Sequence, residues 1–495
     1  MGRMSNHGLA GFLEQLASEG QLVRVATEVD GDLEIAEITC RVADAGGPAL
    51  LFERVRGQTL SVVTNVLGTP GRACRALGID SLDEIATRLE AAAREHTPQS
   101  WFDRLKLGGE QGIEKFRPRL VKAGACQQVV HLGRDVNLAT FPLVRSWPHE
   151  SGPSLLGGLL FADSAEVPPA QACPVTLMQL DVNRLAIIDA SGEVVSRLWQ
   201  RCRDAQTQVP VAMVLGGDPV LTVAAHIDLP AAAPAPLVAG LFRGQALDFV
   251  KCRTHSLEVP AAAELIVEGF LDPQSDEAAV TIGAGRGTYR PAAAVAVLHV
   301  SAITHRTRAI IPALVAGQRS GEAAVLAKLW ERTLLPTVQR LAADVTDISL
   351  PLLEGVQRFA FVALKKRFPH QARQVAAALW GTPALRRTRF LMFVDAEVDV
   401  HDPAAVWGRV GANVDPAQDL FSWDGPADPA DFAESHSLLS RRVAFDATTK
   451  VAGERTSANA PPLAAGEEIV RLVTSRWAEY RIPLSAAEPA RITGL

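Results

Sequence analysis

The chain has 495 residues, of which 48% are hydrophobic and 21% charged, with a formal net charge of −6. That length is too great for one core and fits two or three soluble globular domains. An acidic balance excludes the basic surface that nucleic-acid or polybasic membrane binding requires. The six cysteines, Cys40, Cys74, Cys126, Cys173, Cys202 and Cys252, are scattered without a C-x-x-C pair. They signal neither a disulfide framework nor a structural zinc site, and reduced cytosolic thiols are expected. No stretch has the apolar run of a signal peptide or the roughly 18 apolar residues of a membrane span. The cytoplasm is the expected compartment.

In chain order, the N-terminus reads as an amphipathic helix, with Leu9, Phe12, Leu13 and Leu16 on one face and Gly20 as its stop. Leu22 to Val29 is strand-like, Leu33 to Ala45 helical, Ala49 to Val55 a β-rich run, and Ser81 to Arg94 a helix with Ser81 as its N-cap. These form a small α/β unit. From about Gln127 to Arg308 short β-type runs dominate: Val211 to Leu215, Leu247 to Val250, Leu265 to Val267 and Ala294 to Val300. Their turn punctuation predicts a barrel-like β domain. The Ala/Pro-rich stretch Leu229 to Pro236 reads as a surface loop.

Gly321 to Ala343 predicts a long connecting helix that Pro336 can kink. Beyond it come a strand at Phe359 to Lys366, a helix at His370 to Trp380 and a buried strand at Thr388 to Val400. Asp402-Pro403 opens another helix as cap and first-turn proline, and a last helix spans Gly466 to Tyr480. The expected division is 1–122, an N-terminal α/β unit; 123–315, the β-barrel domain; 316–344, the connecting helix; and 345–495, a C-terminal α/β domain with its tail.

Seven sequence blocks carry a family resemblance. They are GGPALLFERVRG at Gly46 to Gly57, VPVAMVLGGDPVLTVAA at Val209 to Ala225, SAITHR at Ser301 to Arg306, and GQRSGE at Gly317 to Glu322. LKKRFPHQAR at Leu364 to Arg373, DAEVDVHD at Asp395 to Asp402 and FDATTK at Phe445 to Lys450 complete the set. With the segment Leu241 to Tyr289, they resemble the UbiD-like decarboxylases in the family's own order. The resemblance implies an α+β fold: a central split β-barrel that binds prenylated FMN, between an N-terminal α/β unit and a C-terminal α/β dimerisation domain joined by a long helix. It also implies a homodimer or homohexamer, a UbiX-like flavin prenyltransferase as cofactor supplier, and an aromatic acid or aryl-CoA as substrate.

The resemblance breaks at the chemistry. Where the family has its E-G-P-F-G-D/E-x-x-G acids, this register has Ala279 and Ala284. The family's metal glutamate falls on Ala235, and its histidine context Q-R-H becomes Gln200-Arg201-Cys202. The Asn-x4-Arg pair aligns in two ways, at Cys173 or at Asn183, and its arginine becomes Met178 or Ile188. No Asn-His-Glu metal site of the family type is therefore expected, because a hard divalent ion needs oxygen or imidazole donors. Whether any divalent metal or K+ is bound stays open.

What the resemblance carries over is Arg442, in the position that meets the flavin phosphate; Thr176, Met178, Gln200 and Arg201 are expected on the cofactor side although the family pattern is not kept around them. Arg286, inside Gly283-Ala-Gly-Arg-Gly287, suits a carboxylate or developing negative charge as well as it suits an exposed turn. Glu277, with Asp276, is a substitute acid or a solvated loop carboxylate. Cys202 reads as a structural thiol or else a ligand or nucleophile, His149-Glu150 as a structural or surface pair or else part of a segment opening towards the substrate, and His305 as structural. Two functions follow: a prenylated-FMN-dependent decarboxylase with a rebuilt site using Arg286 and Glu277, or a non-catalytic subunit of a larger (de)carboxylase. A flavin carrier without turnover is a third.

Overall fold

The structure is a computed structural model that describes residues 8–96, 113–162, 172–189, 194–227, 234–284, 288–315, 321–352, 358–386, 388–426, 439–454 and 466–481. The first helix, Leu9–Ser18, buries Leu9, Phe12, Leu13 and Leu16, the face its apolar spacing predicts. Strand Leu22–Val25 runs parallel to Ala49–Phe52, which pairs antiparallel with Ser61–Thr64. The strand ends earlier than its pattern suggested, and Val29 makes only an isolated bridge to Val55. Ile310–Pro312 returns from beyond the barrel to pair with Ser61–Thr64 on its other side. Ser81 does not cap the next helix. Its hydroxyl accepts from the Asp83 amide in a turn, and the helix begins at Glu84.

A helix the apolar pattern did not reveal spans Pro70–Leu77. Thr69 caps it by accepting from the Arg72 amide, and Gly78 ends it in the left-handed conformation. This helix carries Arg72, which is wholly buried. Its guanidinium donates to the carbonyls of Val66, Asn65 and Gly47 and to the Gln21 side-chain oxygen Oε1.

Among the described residues, six strands close into a barrel in the order Leu265–Leu271, Val209–Leu215, Ser154–Ala162, Cys173–Gln179, Arg184–Asp189 and Val297–His305. Every neighbouring pair is antiparallel, and the last strand pairs with the first. Side chains alternate as a pleated strand requires. Val209, Val211, Met213 and Leu215 point inward with Val175, Leu177, Leu185 and Ile187. Ala212, Val214 and Ile266 point outward onto a second core shared with the N-terminal helices. The run Ala294 to Val300, expected as one strand, is broken at Ala296, whose carbonyl accepts from the Ile187 amide. Thr288–Val295 belongs instead to a hairpin with Ala278–Ala284. The Ala/Pro-rich stretch is also only partly a loop: Pro234 starts helix Ala235–Arg243, and 228–233 lie outside the described residues.

The connecting helix, Glu322–Leu341, contains Pro336 and buries Val325, Leu326, Leu329, Leu334 and Val338. It feeds a five-stranded sheet in the order Val345–Ser349, Phe359–Leu364, Phe390–Asp395, Leu439–Asp446, Leu420–Pro426. The three central strands are parallel and both edges antiparallel. Helices Gln371–Trp380 and Pro403–Asn413 cover opposite faces. Asp402 caps the second by accepting from the Ala404 and Ala405 amides. The α+β order expected from the sequence is the one observed.

Connecting helix and sheet are joined by buried charges. Arg332 pairs with Glu331 at 2.8 Å and Asp347 at 2.8 Å. His401 Nε2 lies 3.0 Å from Asp347 Oδ2, and Lys328 Nζ lies 2.7 Å from His401 Nδ1. Burial raises the Asp347 carboxyl, but the His401 hydrogen bond and the Arg332 charge outweigh it and hold it well below the usual carboxylate range. A carboxyl lowered on folding contributes stability that is complete above its unfolded value of about 4 and is lost as pH falls toward its folded value. Asp347→Asn should therefore lower Tm at neutral pH and flatten the fall of Tm between about pH 5 and pH 2. Parallel Tm-against-pH curves for variant and parent would contradict this assignment.

Candidate active site

The region that carries the family's acid positions is the hairpin of Ala278–Ala284 and Thr288–Val295. It lies on the outer face of the barrel. Val280, with Ala278, Ile282 and Val295 beside it, packs on Met178, Ala186 and Ile188. Met178 is thus buried in an apolar cluster, and Thr176, its neighbour on the same face, is half-buried opposite Ile188.

The hairpin is latched by the segment 146–151. Glu150 Oε1 accepts from the Gly283 amide at 3.1 Å, while Oε2 accepts from the amides of Ser146 and Trp147 at 2.8 and 3.1 Å. Ser151 Oγ accepts from the Thr281 amide, and the Ser151 amide donates back to the Thr281 carbonyl. Trp147 lies so close beneath Gly283 that a Cβ there would fall 2.1 Å from the indole, which only glycine avoids. The His149 ring meets Tyr289 edge-on at 5.0 Å. Sequence reading gave His149-Glu150 a structural role without a partner. Only the fold shows that Glu150 sets the position of the hairpin.

At the other end, Glu277 Oε1 accepts from Trp199 Nε1 at 3.2 Å and pairs with Arg203 at 2.9 Å. Both partners lie on helix Val194–Ala205, whose inner side, Val195, Leu198, Trp199 and Cys202, closes the barrel core. Glu277 is therefore an ion-paired strut between helix and hairpin. Asp276 is exposed.

Gln200 and Arg201 lie on the exposed side of that helix, with Gln200 Nε2 donating to Asp204 at 2.8 Å. Cys202 faces inward. Its thiol donates to the Thr207 and Leu271 carbonyls at 3.1 and 3.5 Å, and burial pushes its pKa up. Ala235 starts the helix Ala235–Arg243 and is buried. None of these offers the oxygen or imidazole donor set of a hard divalent ion, so the family's metal-bridged phosphate mode does not fit these residues.

Arg442 lies on the buried side of strand Leu439–Asp446, opposite Trp423 in register. Its guanidinium rests on Gly425, where a Cβ would fall 2.7 Å from Cζ. Arg286 lies outside the described residues, as do Gly285 and Gly287. A roomy cleft of about 780 Å³ opens elsewhere, between Lys115, Arg119, Asp218, Gln245 and Arg306. It does not include any of the positions brought together at the hairpin.

Residues 13–89, 119–319 and 324–447 match, in that order, the N-terminal, Rift-related and C-terminal domains of the 3-octaprenyl-4-hydroxybenzoate carboxy-lyase (UbiD) family. An uncharacterized protein of Synechocystis, sll0936, is 30% identical over 95% of both chains. An uncharacterized protein of Archaeoglobus fulgidus is 32% identical over 97% of this chain and 99% of that one. Among solved structures, the closed form of Sedimentibacter hydroxybenzoicus vanillic acid decarboxylase superposes with a TM-score of 0.81 at 23% identity, covering 96% of this chain and 98% of that one. The UbiD-class enzyme HmfF of Pelotomaculum thermopropionicum, in complex with FMN, gives 0.76 at 24%, covering 92% and 98%. The chain belongs to the UbiD family of carboxy-lyases, and decarboxylase is the activity class this membership supports. No helix among the described residues is long and apolar enough to cross a membrane.

The latch has a measurable consequence. Glu150→Ala strips three amides of their acceptor, and a lost charge-assisted bond costs about 1.5–3 kcal/mol. Hydrogen exchange at the Thr281 and Gly283 amides should accelerate at least about tenfold while barrel amides such as Val211 keep their rates. Unchanged exchange at Gly283 would remove Glu150 from this role.

Proposed function

We propose that this chain decarboxylates an aromatic or aryl-CoA carboxylic acid, of the phthaloyl-CoA type, beside the hairpin of Ala278–Ala284 and Thr288–Val295, with prenylated FMN as cofactor. The observation that supports this is the retained hairpin. Its family acids are gone, yet Glu150, Ser151 and Glu277 still tie it to the barrel and to helix Val194–Ala205. A prenylated flavin, when bound, supplies an electron sink for the carbanion-like product of CO2 loss. A substrate with its own electron-withdrawing carbonyl relaxes the demand on the missing residues.

Within this reading, Arg286 holds the substrate carboxylate or stabilises developing negative charge. Arginine keeps its proton at neutral pH, so it is not the donor. Glu277, ion-paired with Arg203, would have to leave that pair and take up a proton from solvent before it could donate one, which leaves water as the simpler source. Arg442 is assigned to the flavin phosphate, a charge-assisted contact. The metal-bridged phosphate is not part of the proposal, because Cys202 and Ala235 cannot supply it. A UbiX-like prenyltransferase provides the cofactor, and the working form is a homodimer or homohexamer in the cytoplasm.

A second reading, a non-catalytic UbiD-like subunit, is favoured by one observation. Met178, Ala186, Ile188 and Val280 already fill the space between hairpin and barrel with apolar contact.

Co-production with a flavin prenyltransferase separates the two. The first reading expects a bound flavin by absorbance and mass, and CO2 release from an aromatic acid or its thioester. Arg286→Ala should lose turnover on the order of a hundredfold while keeping the flavin. Arg442→Ala should weaken flavin retention by about 1.5–3 kcal/mol. Undiminished decarboxylation in the Arg286 variant would overturn its role. A wild-type chain that binds no flavin until a UbiD-like partner is added would establish the second reading.

A further inference from the structure

We propose that Cys252, His255 and Glu268 form a binding site for a borderline-soft divalent cation of the zinc class, separate from the flavin chemistry proposed above. Cys252 and His255 bracket the turn between strands Asp248–Lys251 and Glu258–Pro260, which the Cys252 amide closes by donating to the Leu257 carbonyl. Glu268 comes from the barrel strand Leu265–Leu271, at the bulge beside Gly269. One donor atom from each residue lies within 4.8 Å of the other two. Around a tetrahedral zinc, with bonds of about 2.0–2.3 Å, such atoms stand roughly 3.3–3.7 Å apart. Side-chain adjustment of about 1 Å closes that difference.

The histidine is set up as a ligand. His255 Nε2 lies 3.2 Å from the Val211 carbonyl. That contact places the ring proton on Nε2 and leaves Nδ1 with a bare lone pair. Nδ1 is buried and has no hydrogen-bond partner among the described residues. A backbone carbonyl on one nitrogen and an unmatched lone pair on the other is the arrangement of a metal-binding imidazole.

The carboxylate is held but not exhausted. Glu268 is fully buried. Its Oε2 accepts from the Arg253 and Thr254 amides at 2.8 Å each and from Thr254 Oγ1 at 2.9 Å. Among the described residues, Oε1 accepts only from the Arg253 amide, at 2.9 Å, and keeps a lone pair. The same bonds fix the turn that carries Cys252 and His255, so the second shell is built.

The donor set of thiol, imidazole and carboxylate selects zinc, cobalt or iron over magnesium and calcium. The thiolate is the metal ligand, so loading releases the Cys252 proton. Exposed Arg253, Thr254 and Ser256 border the turn and leave an entry path. A scan for C-x-x-C pairs misses the site, because its local pair is Cys252-x-x-His255 and its third ligand lies on another strand.

The test uses the full chain, stripped by a chelator and titrated with Co(II) alone. One Co(II) should bind per chain, with a sulfur-to-cobalt charge-transfer band that excess Zn(II) abolishes and excess Mg(II) does not. Zn(II) should also raise Tm. Cys252→Ala, a substitution a buried site accepts, should keep the far-UV spectrum and lose the band. His255→Ala and Glu268→Gln should each weaken binding at least about tenfold. Cys40→Ser, a thiol outside the cluster, should change neither band nor affinity. Absence of the band in the wild type, its persistence in Cys252→Ala, or displacement by Mg(II) would overturn the proposal.

Discussion

The recurring constraint in this structure is a buried carboxylate that accepts backbone amides from a loop distant in sequence. Glu322, in the first turn of the connecting helix, accepts from the Leu67 amide at 2.9 Å and also draws on the amides of Asn65 and Val66. Asn65 adopts a left-handed conformation, which turns successive amides toward one anion. Burial raises the Glu322 carboxyl, while the Arg72 charge and these amides pull the other way. Glu264 holds the Ile310 amide, Glu331 the Leu350 amide, and Glu454 those of His370 and Val451. Each joins segments that no strand ladder connects. An amide bonded to a carboxylate is both desolvated and satisfied, so these acids fix loop positions at low cost in unpaired polar groups.

This explains how the hairpin over the barrel survives the loss of its acids. Its position depends on Glu150 and Ser151 at one end and Glu277 at the other, not on Ala279 or Ala284. A hairpin held from outside does not depend on the side chains at Ala279 and Ala284 for its position. The same logic limits what Glu277 can do. A carboxylate already shared between an indole N–H and a guanidinium serves first as a strut. Any catalytic use must break contacts that hold helix and hairpin together.

Much of the fold was legible because it rests on periodicity. The apolar stripe of the first helix, the alternation of Val209–Leu215, the Asp402-Pro403 start and the length of the connecting helix all follow from side-chain spacing, and each is where the spacing puts it. Boundaries were less legible where the apolar pattern continues through a change of partner. Ala294 to Val300 reads as one run, yet Ala296 gives its carbonyl to Ile187 and the chain leaves the hairpin for the barrel. The short helix Pro70–Leu77 has little apolar stripe to read, since the residue it buries most completely is an arginine. Pro234 and Pro236 looked like loop punctuation and are helix-start prolines.

The site was harder to read, for a physical reason. A motif shows which residue type is present, not which groups surround it. Cys202 and Cys252 are both isolated cysteines in the sequence. In the fold, Cys202 donates to two carbonyls and has no ligand beside it, whereas Cys252 faces an imidazole with a buried, unmatched nitrogen and a carboxylate with a spare lone pair. Glu268 also differs from the amide-holding acids of the connecting helix. Glu331 pairs with Arg332 at 2.8 Å, and the Arg72 charge acts on Glu322. Glu268 instead has the Cys252 thiol and the His255 imidazole beside it, the three donor atoms within 4.8 Å of one another. A divalent ion at that point would draw on a Glu268 carboxylate oxygen, the unmatched His255 Nδ1 and the Cys252 sulfur together, three donors that the fold has already gathered.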